Sequence, residues 1–416
     1  MSIAPKSLRL HIGLFGRRNV GKSSLLNAIT RQAVSIISDV AGTTTDPVEK
    51  PMELLPIGPV LFIDTAGIDD VGALGEQRVK KTRQVFDRTD VGIIVTAQGQ
   101  WGPFEQGILD ELRGRQTPVI AAFNKADLAS PPEATAASLR QQNVPIVETV
   151  APQGQGILDI REELILAAPD ELVNPPTLLG DLVVVGEMAV LVVPIDLEAP
   201  KGRLIVPQVQ AIRDLLDNDA YCMVVKEREL RDALERLNRP PALVVTDSQA
   251  FLKVAGDTPP DVKMTSFSIL FARNKGDLNE FVRGAATIDS LRPGDKVLMA
   301  ESCTHHPIGD DIGRVKIPRW MTQYVGGKLD FNITAGHDFP DDLGDYKLVV
   351  QCGGCMHNRR AMLSRIMRCR AAGVPITNYG VAIAHTLGIL DRALEPFPAA
   401  RDTFRELARP ADGQPR

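Results

Sequence analysis

The stretch Gly16-Arg-Arg-Asn-Val-Gly21-Lys22-Ser23 constrains this chain more than any other. It has the form G-x-x-x-x-G-K-S/T, and it lies between an apolar run, "LHIGLFG", and a helical run, "SSLLNAIT". Glycines let such a loop curl so that its backbone N–H groups face one point, and the N-terminus of the following helix adds positive potential there. A polyphosphate fits that environment. Gly16 and Gly21 permit the curl, Lys22 reaches toward the β and γ phosphates, Ser23 holds Mg²⁺, and Asn19 and Ser24 are further candidate nucleotide-binding residues. The runs "VLFID", "VGIIVTA" and "PVIAAFN" alternate with amphipathic segments, which predicts a mostly parallel sheet covered on both faces.

Three further elements follow in order. "IDTAG" (63–67) ends a strand in Asp64, placed to reach Mg²⁺ through water, and Gly67 can offer its N–H to the γ-phosphate. "FNKAD" (123–127) resembles the N-K-x-D of translation-factor-class GTPases. Asp127 would accept two hydrogen bonds from guanine, and adenine would leave that buried carboxylate unpaired. Asn124 and Lys125 would support the base and the loop beneath it. "TVAPQGQGI" (149–157) resembles the last GTPase loop, with Ala151 meeting guanine through its backbone. "AGTTTDP" (41–47) resembles an effector loop; of Thr43, Thr44 and Thr45, Thr44 is preferred as the Mg²⁺ ligand. Ile68 stands where many GTPases carry a water-orienting glutamine. Asn19 together with "AGTTTD" resembles the subgroup in which K⁺ replaces an arginine finger. The ligands implied are GTP or GDP, Mg²⁺ and K⁺.

The chain has 416 residues, 44% hydrophobic and 24% charged, which is a soluble, globular balance with room for several cores. A net charge of −5 argues against nucleic-acid binding by bulk positive charge. No leader pattern or membrane-length apolar run stands out, so a cytoplasmic chain is expected. The fold expected is α/β in three domains: a P-loop domain over 1–170, an α/β domain over 181–270 and another over 271–416. The proline-rich 168–180 reads as a linker. Within the second domain "LVVVGE", "YCMVVK" and "ALVVTD" read as strands. The last twenty residues read as a polar tail, frayed at its end.

Five cysteines are too few for a disulfide scaffold of this length. Three of them fall into two short stretches, "ESCTHHP" (301–307) and "QCGGCMHN" (351–358). The pattern is Cys303-x-His305, then 46 residues, then Cys352-x-x-Cys355. Both stretches follow strands, so they can meet at the C-terminal edge of one sheet. Gly353 and Gly354 allow a tight turn. A thioredoxin-like pair would not need Cys303. A Cys₃His zinc site and an iron–sulfur cluster on three cysteines fit the spacing equally.

Taken with the nucleotide motifs, "ESCTHHP" and "YKLVVQCGGCMHNRRAMLSRI…AGVPITNYGVAIAHTLGIL" resemble the [FeFe]-hydrogenase maturation GTPases, the HydF family, whose nucleotide domain is TrmE/Era-like. The resemblance implies a dimerisation domain and a cluster-binding domain after the GTPase domain. It implies a [4Fe–4S] cluster on Cys303, Cys352 and Cys355, with His305 as a fourth ligand or neighbour, and a scaffold role for the diiron subcluster. The partners implied are the radical-SAM maturases HydE and HydG, apo-[FeFe]-hydrogenase and a second copy of the chain, with no nucleic acid and no membrane. Many members carry histidine where this chain has Gln351, so Glu301, His305, water or another subunit would complete the fourth iron. Cys222 and Cys369 read as core. His306 and His357 read as neighbours of the cluster or as solvated side chains, the arginines of 358–370 as an anion-attracting entrance or a solvated helix face, and His11 and His337 carry no recognisable role. The runner-up is a ribosome- or tRNA-associated GTPase with a C-terminal zinc module.

Overall fold

The structure, a computed structural model, describes residues 5–30, 47–55, 57–65, 81–169, 176–195, 202, 204–302 and 311–408. Thr43, Thr44, Thr45, Gly67, Ile68, Cys303, His305 and His306 lie outside them. The chain forms two compact units, Met1–Pro175 and Pro176–Arg416.

The first unit holds a six-stranded sheet of β1 (Leu10–Phe15), β2 (Val48–Leu54), β3 (Gly58–Asp64), β4 (Val91–Ala97), β5 (Val119–Asn124) and β6 (Ile146–Thr149), in the order β2-β3-β1-β4-β5-β6. Only β2 runs antiparallel to its neighbour. Every residue of β1 and β5 is buried, as strands covered on both faces must be. Helix α1 (Lys22–Thr30) and the helix Ile157–Ala167 bury Leu25, Ile29 and Leu164 on one face. The helices Pro103–Gly114 and Glu133–Gln141 bury Leu109, Leu112 and Leu139 on the other.

The second unit holds two all-parallel, four-stranded sheets. One is β10-β9-β7-β8, from β7 (Met188–Val192), β8 (Tyr221–Val225), β9 (Leu243–Thr246) and β10 (Met264–Ser266). The other is β12-β11-β13-β14, from β11 (Lys296–Ala300), β12 (Asp330–Thr334), β13 (Leu348–Gln351) and β14 (Ile376–Asn378). One continuous apolar core runs through both. Helix Phe267–Lys275 leaves β10 with Ser266 as its cap and buries Ile269, Leu270 and Phe271. It packs against Val206–Asp217 beside the first sheet and Arg359–Ala371 beside the second, so it carries the chain from one to the other.

Two local expectations fail. "LVVVGE" is not a strand: Val184 and Val185 are exposed in a turn that Gly186 completes at φ +76°, and the next run, Met188–Val192, is the strand instead. Val-rich sequence is compatible with either run, and only Met188–Val192 finds partners on both sides. The polar C-terminal stretch is not a tail as far as Ala408. Pro398–Ala408 is a helix with Ala400 buried, and Asp391 pairs with its Arg401 and Arg405. Among the described residues no helix is long and apolar enough to cross a membrane.

Candidate functional site

At the end of β1 the chain turns through Gly16 at φ +148°, where a Cβ would stand 2.1 Å from the Val95 carbonyl oxygen, so no other side chain fits. Gly21 repeats this at φ +97°, with the Asn124 side chain 2.2 Å from a built Cβ. Lys22 is buried, and its Nζ donates to the carbonyls of Gly16 and Arg17 at 2.8 Å each, which holds the ammonium inside the loop. The Ser23 hydroxyl donates to Asp64 Oδ2 at 2.8 Å, which puts the two oxygens predicted to serve Mg²⁺ side by side. Burial pushes the Asp64 carboxyl above its ordinary range, while the Lys22 charge and the Ser23 hydroxyl act the other way. Thr65 fixes the end of β3 by donating to the Leu14 carbonyl from both its N–H, at 3.2 Å, and its hydroxyl, at 2.6 Å. Ser24 lies in the first turn of α1.

Asn124 ties three loops together. Its Nδ2 donates to the Val20 carbonyl at 2.9 Å, and its Oδ1 accepts from the Thr149 hydroxyl and the Ala151 N–H, each at 3.2 Å. Lys125, at φ +57°, donates to the carbonyl of Asn19, itself at φ +61°. Ala151 is buried in a short turn at the end of β6. Asp127 is exposed. The burial that the sequence reading attaches to its carboxylate is therefore absent from the protein alone and would have to come from a bound purine. Sequence reading also missed a brace. Arg17 lies 4.7 Å from the Phe104 ring centroid and bonds Glu105 at 2.8 Å, and buried Glu105 accepts the Gly102 N–H. Nothing local marks that pairing across 88 positions.

The second candidate site lies at the C-terminal edge of β11 and β13, which run side by side with Ala300 opposite Gln351. The Cys352 N–H donates to the Ala300 carbonyl at 3.0 Å. The Ser302 N–H then reaches Cys352 Sγ at 3.1 Å, as does the Ser302 hydroxyl oxygen. Cys303 is the next residue. The turn passes through Gly354 at φ +69° to Cys355, and three residues later Asn358 caps helix Arg359–Ala371. Burial pushes the Cys355 thiol up, and the Cys352 sulfur adds to this. Lys275 and the N–H groups of Cys355 and Met356 lower it. Neither cysteine of the pair is in a disulfide.

The surroundings differ from the sequence reading in several places. Gln351 is fully buried; Arg365 donates to its Oε1 at 2.7 Å, and its Nε2 faces the Ser302 hydroxyl at 3.3 Å and Cys352 Sγ at 3.5 Å. Its oxygen is engaged, so it is a donor to sulfur and not a ligand. Glu301, a candidate fourth ligand, is buried with both oxygens on Arg314, at 2.8 and 3.3 Å. His357 is not solvated: it is 1% exposed, stacks on His337 with ring centroids 5.0 Å apart, donates from Nε2 to the Gly336 carbonyl, and presents Nδ1 to Ser302. Burial holds its imidazole well below the ordinary range, so it is neutral. Arg365 is buried against the Phe339 ring and the Gly336 carbonyl, so the helix face is not wholly solvated. Cys369 is core, its thiol pushed up to about 12 by burial, and Cys222 is half-buried on β8. Lys275, which the sequence did not single out, is 3% exposed and donates from Nζ to the carbonyls of Gly354 and His357 at 2.9 and 3.0 Å. Burial lowers its pKa to about 8, against the pull of Cys355 and Cys352. Among the described residues no group of three metal-ligating side chains assembles; Cys303 and His305 are outside that set.

A curled glycine loop, an Mg²⁺-type Ser–Asp pair and an N-K-x-D strut on a sheet of this order define a GTPase domain of the P-loop class. The family described as "50S ribosome-binding GTPase" matches residues 11–125. "Hydrogen maturase F dimerization domain" matches 178–276, and "Hydrogen maturase F tetramerization domain" matches 279–396. The chain belongs to the hydrogen maturase F family. Among curated relatives, the tRNA modification GTPase MnmE of Synechococcus elongatus is 41% identical over 164 residues, 38% of this chain and 34% of that protein. MnmE of Exiguobacterium sibiricum is 34% identical over 154 residues, 36% of this chain and 33% of that protein. The chain thus spans about a third of the length of these relatives. Among solved structures, Aquifex aeolicus Era bound to GDP and aluminium fluoride is 21% identical, with a TM-score of 0.35, covering 60% of this chain and 99% of that one. The G domain of the T. maritima FeoB iron transporter is also 21% identical, with a TM-score of 0.30, covering 39% of this chain and 99% of that one.

Proposed function

We propose that this maturation GTPase is a scaffold or carrier. It holds a [4Fe–4S] cluster on Cys303, Cys352 and Cys355, and assembles or delivers the diiron subcluster precursor to apo-[FeFe]-hydrogenase, with HydE and HydG as upstream partners. The observation that carries this reading is the Ser302 N–H on Cys352 Sγ at 3.1 Å. Cys303 is one peptide step beyond, about 3.8 Å between Cα atoms, so its sulfur has the reach to join the pair. The donor chemistry fits an anionic sulfur centre. The Ser302 N–H and Gln351 Nε2 point at one thiol, the N–H groups of Cys355 and Met356 act on the other, and a helix N-terminus lies just beyond. With Glu301 and Gln351 engaged elsewhere, His305, water or a partner subunit remain for the fourth iron, and an exchangeable corner suits a carrier. Cluster binding is assigned to 271–416, dimerisation to 181–270 and nucleotide turnover to 1–170, in the cytoplasm. The sheet edge β8, with Tyr221 and Val224 exposed, is a natural seam for a second copy.

In this reading Thr44 and Gly67 close on the γ-phosphate, and K⁺ sits against Asn19, an exposed residue of the phosphate loop. Hydrolysis should be faster in potassium than in sodium at matched ionic strength; equal rates remove K⁺ from the mechanism. The test of the main reading is anaerobic iron, sulfide and zinc analysis with EPR of the reduced protein, wild type against Cys303→Ala. A cubane-type signal that the substitution abolishes or transforms is the expected result. Stoichiometric zinc without sulfide would instead favour the zinc-module alternative.

A further inference from the structure

We propose that Lys275 is the built-in counter-charge of the paired-cysteine loop, a positioning residue that fixes the loop's turn and favours a negatively charged sulfur centre in it. This rests on the reading of that loop as a metal–sulfur site. Lys275 is the last residue of helix Phe267–Lys275 and reaches the loop from 79 positions away in sequence. Its Nζ spans the turn, bonding the carbonyls of Gly354 and His357, while Phe271 lies 5.2 Å away beneath the ammonium. Both acceptors are neutral. Among the described residues no carboxylate pairs with it, although it is 3% exposed. Its helix C-terminus gives partial compensation. A buried ammonium with only carbonyl partners is costly to a fold, and is repaid when an anion binds close by. The neighbouring groups able to carry negative charge against it are the sulfurs of Cys355 and Cys352, as thiolates.

The placement has two consequences. Pinning the Gly354 and His357 carbonyls turns the intervening N–H groups, those of Cys355 and Met356, toward the Cys355 sulfur. The fixed positive charge also favours the more negative state of whatever the thiolates hold. For a cluster this is the reduced state; for zinc it is the metal-bound thiolates over the released cysteines, which take up protons as the metal leaves.

The experiment compares full-length wild type, Lys275→Gln and Lys275→Arg, each reconstituted anaerobically with iron and sulfide. Readouts are metal content, the midpoint potential from EPR-monitored titration, and the rate of metal release to a chelator, with GTP hydrolysis and thermal unfolding as controls. Lys275→Gln keeps a donor and loses the charge. Its oxidised-to-reduced ratio at fixed potential should rise about tenfold, a fall of about 59 mV for one electron, and release should quicken about tenfold. Lys275→Arg should move both back toward wild type. Unchanged potential and release in a folded Gln variant, or identical behaviour of the Gln and Arg variants, would overturn the proposal. If wild type holds zinc and no sulfide, the cluster reading fails on its own, and zinc release then tests Lys275 with the same two outcomes.

Discussion

Two loops at the C-terminal ends of parallel strands share one device. In the nucleotide loop, buried Lys22 donates to the carbonyls of Gly16 and Arg17; in the cysteine loop, buried Lys275 donates to those of Gly354 and His357. Each ammonium stiffens a glycine turn and brings positive charge to it. The difference lies in what surrounds them. Lys22 acts electrostatically on the Asp64 carboxylate, and it lies within the loop's own sequence motif. Lys275 has neutral acceptors, and the groups placed to give it a negative field are the sulfurs, once they are thiolates. The first loop is electrically furnished by its own side chains and receives a mobile polyanion that comes and goes. In the proposed reading the second gains its negative charge only when a bound metal fixes its cysteines as thiolates.

That contrast can be broken in stages. The largest effect is expected from Cys352→Ser, which should abolish stoichiometric iron and sulfide in the reconstituted protein while GTP hydrolysis stays within about twofold, since the two loops belong to separate compact units with no shared partners among the described residues. A parallel loss of hydrolysis would mean that the loops are one energetic unit. Lys22→Ala should cut kcat/KM for GTP about 10²- to 10³-fold, in the range for removing a preorganised charge, and leave metal content unchanged. Iron analysis of the same preparation checks both halves.

A third effect concerns His11, buried in the first unit. Burial holds the His11 imidazole at about 4 against an ordinary 6.5, with Arg88 also lowering it and the Lys6 carbonyl and Glu49 opposing; Asp90 accepts its backbone N–H. The unfolded chain takes up a proton between those values and the folded chain does not. The contribution of His11 to stability is therefore complete above 6.5 and drains away as the pH falls toward 4, by at most about 3 kcal/mol. Denaturant unfolding of the first unit at pH 7 and 4.5 measures it, and His11→Gln should flatten that part of the profile. The smallest effect is expected from Asn124→Ala. Losing its buried bonds should weaken GDP binding by about 1–3 kcal/mol, read in a fluorescent-nucleotide titration. No change would show that the three loops hold their places without it.

What was legible followed from contiguity. Gly16 to Ser23, Asn124 to Asp127 and Cys352 to Cys355 are short words whose backbone consequences are local, so the strand–loop–helix context could be read directly. The parallel sheets were legible from apolar runs, except where two runs competed, as at Val183–Val185 and Met188–Val192. What was not legible acts through space. Lys275 on Gly354, Arg365 on Gln351, and Glu105 on Arg17 join residues 79, 14 and 88 positions apart, and no spacing rule announces them. His337 and His357 carry no local sign that their rings stack. Asp127 shows a subtler limit: its motif specifies a partner, but whether the carboxylate is buried beforehand depends on the tertiary surface. Thr44, Gly67, Cys303 and His305 fall outside the described residues, and their roles stand as proposed above.

The side chain of Asn124 is a tie-rod between the floor of the phosphate cradle at Val20 and the rim at Thr149 and Ala151. Redesigning the purine preference of this protein by substitutions in its N-K-x-D segment would therefore loosen its grip on the triphosphate as well. Changes confined to Asp127, which sits outside that truss, are the ones that could retune base choice and leave the rest of the pocket standing.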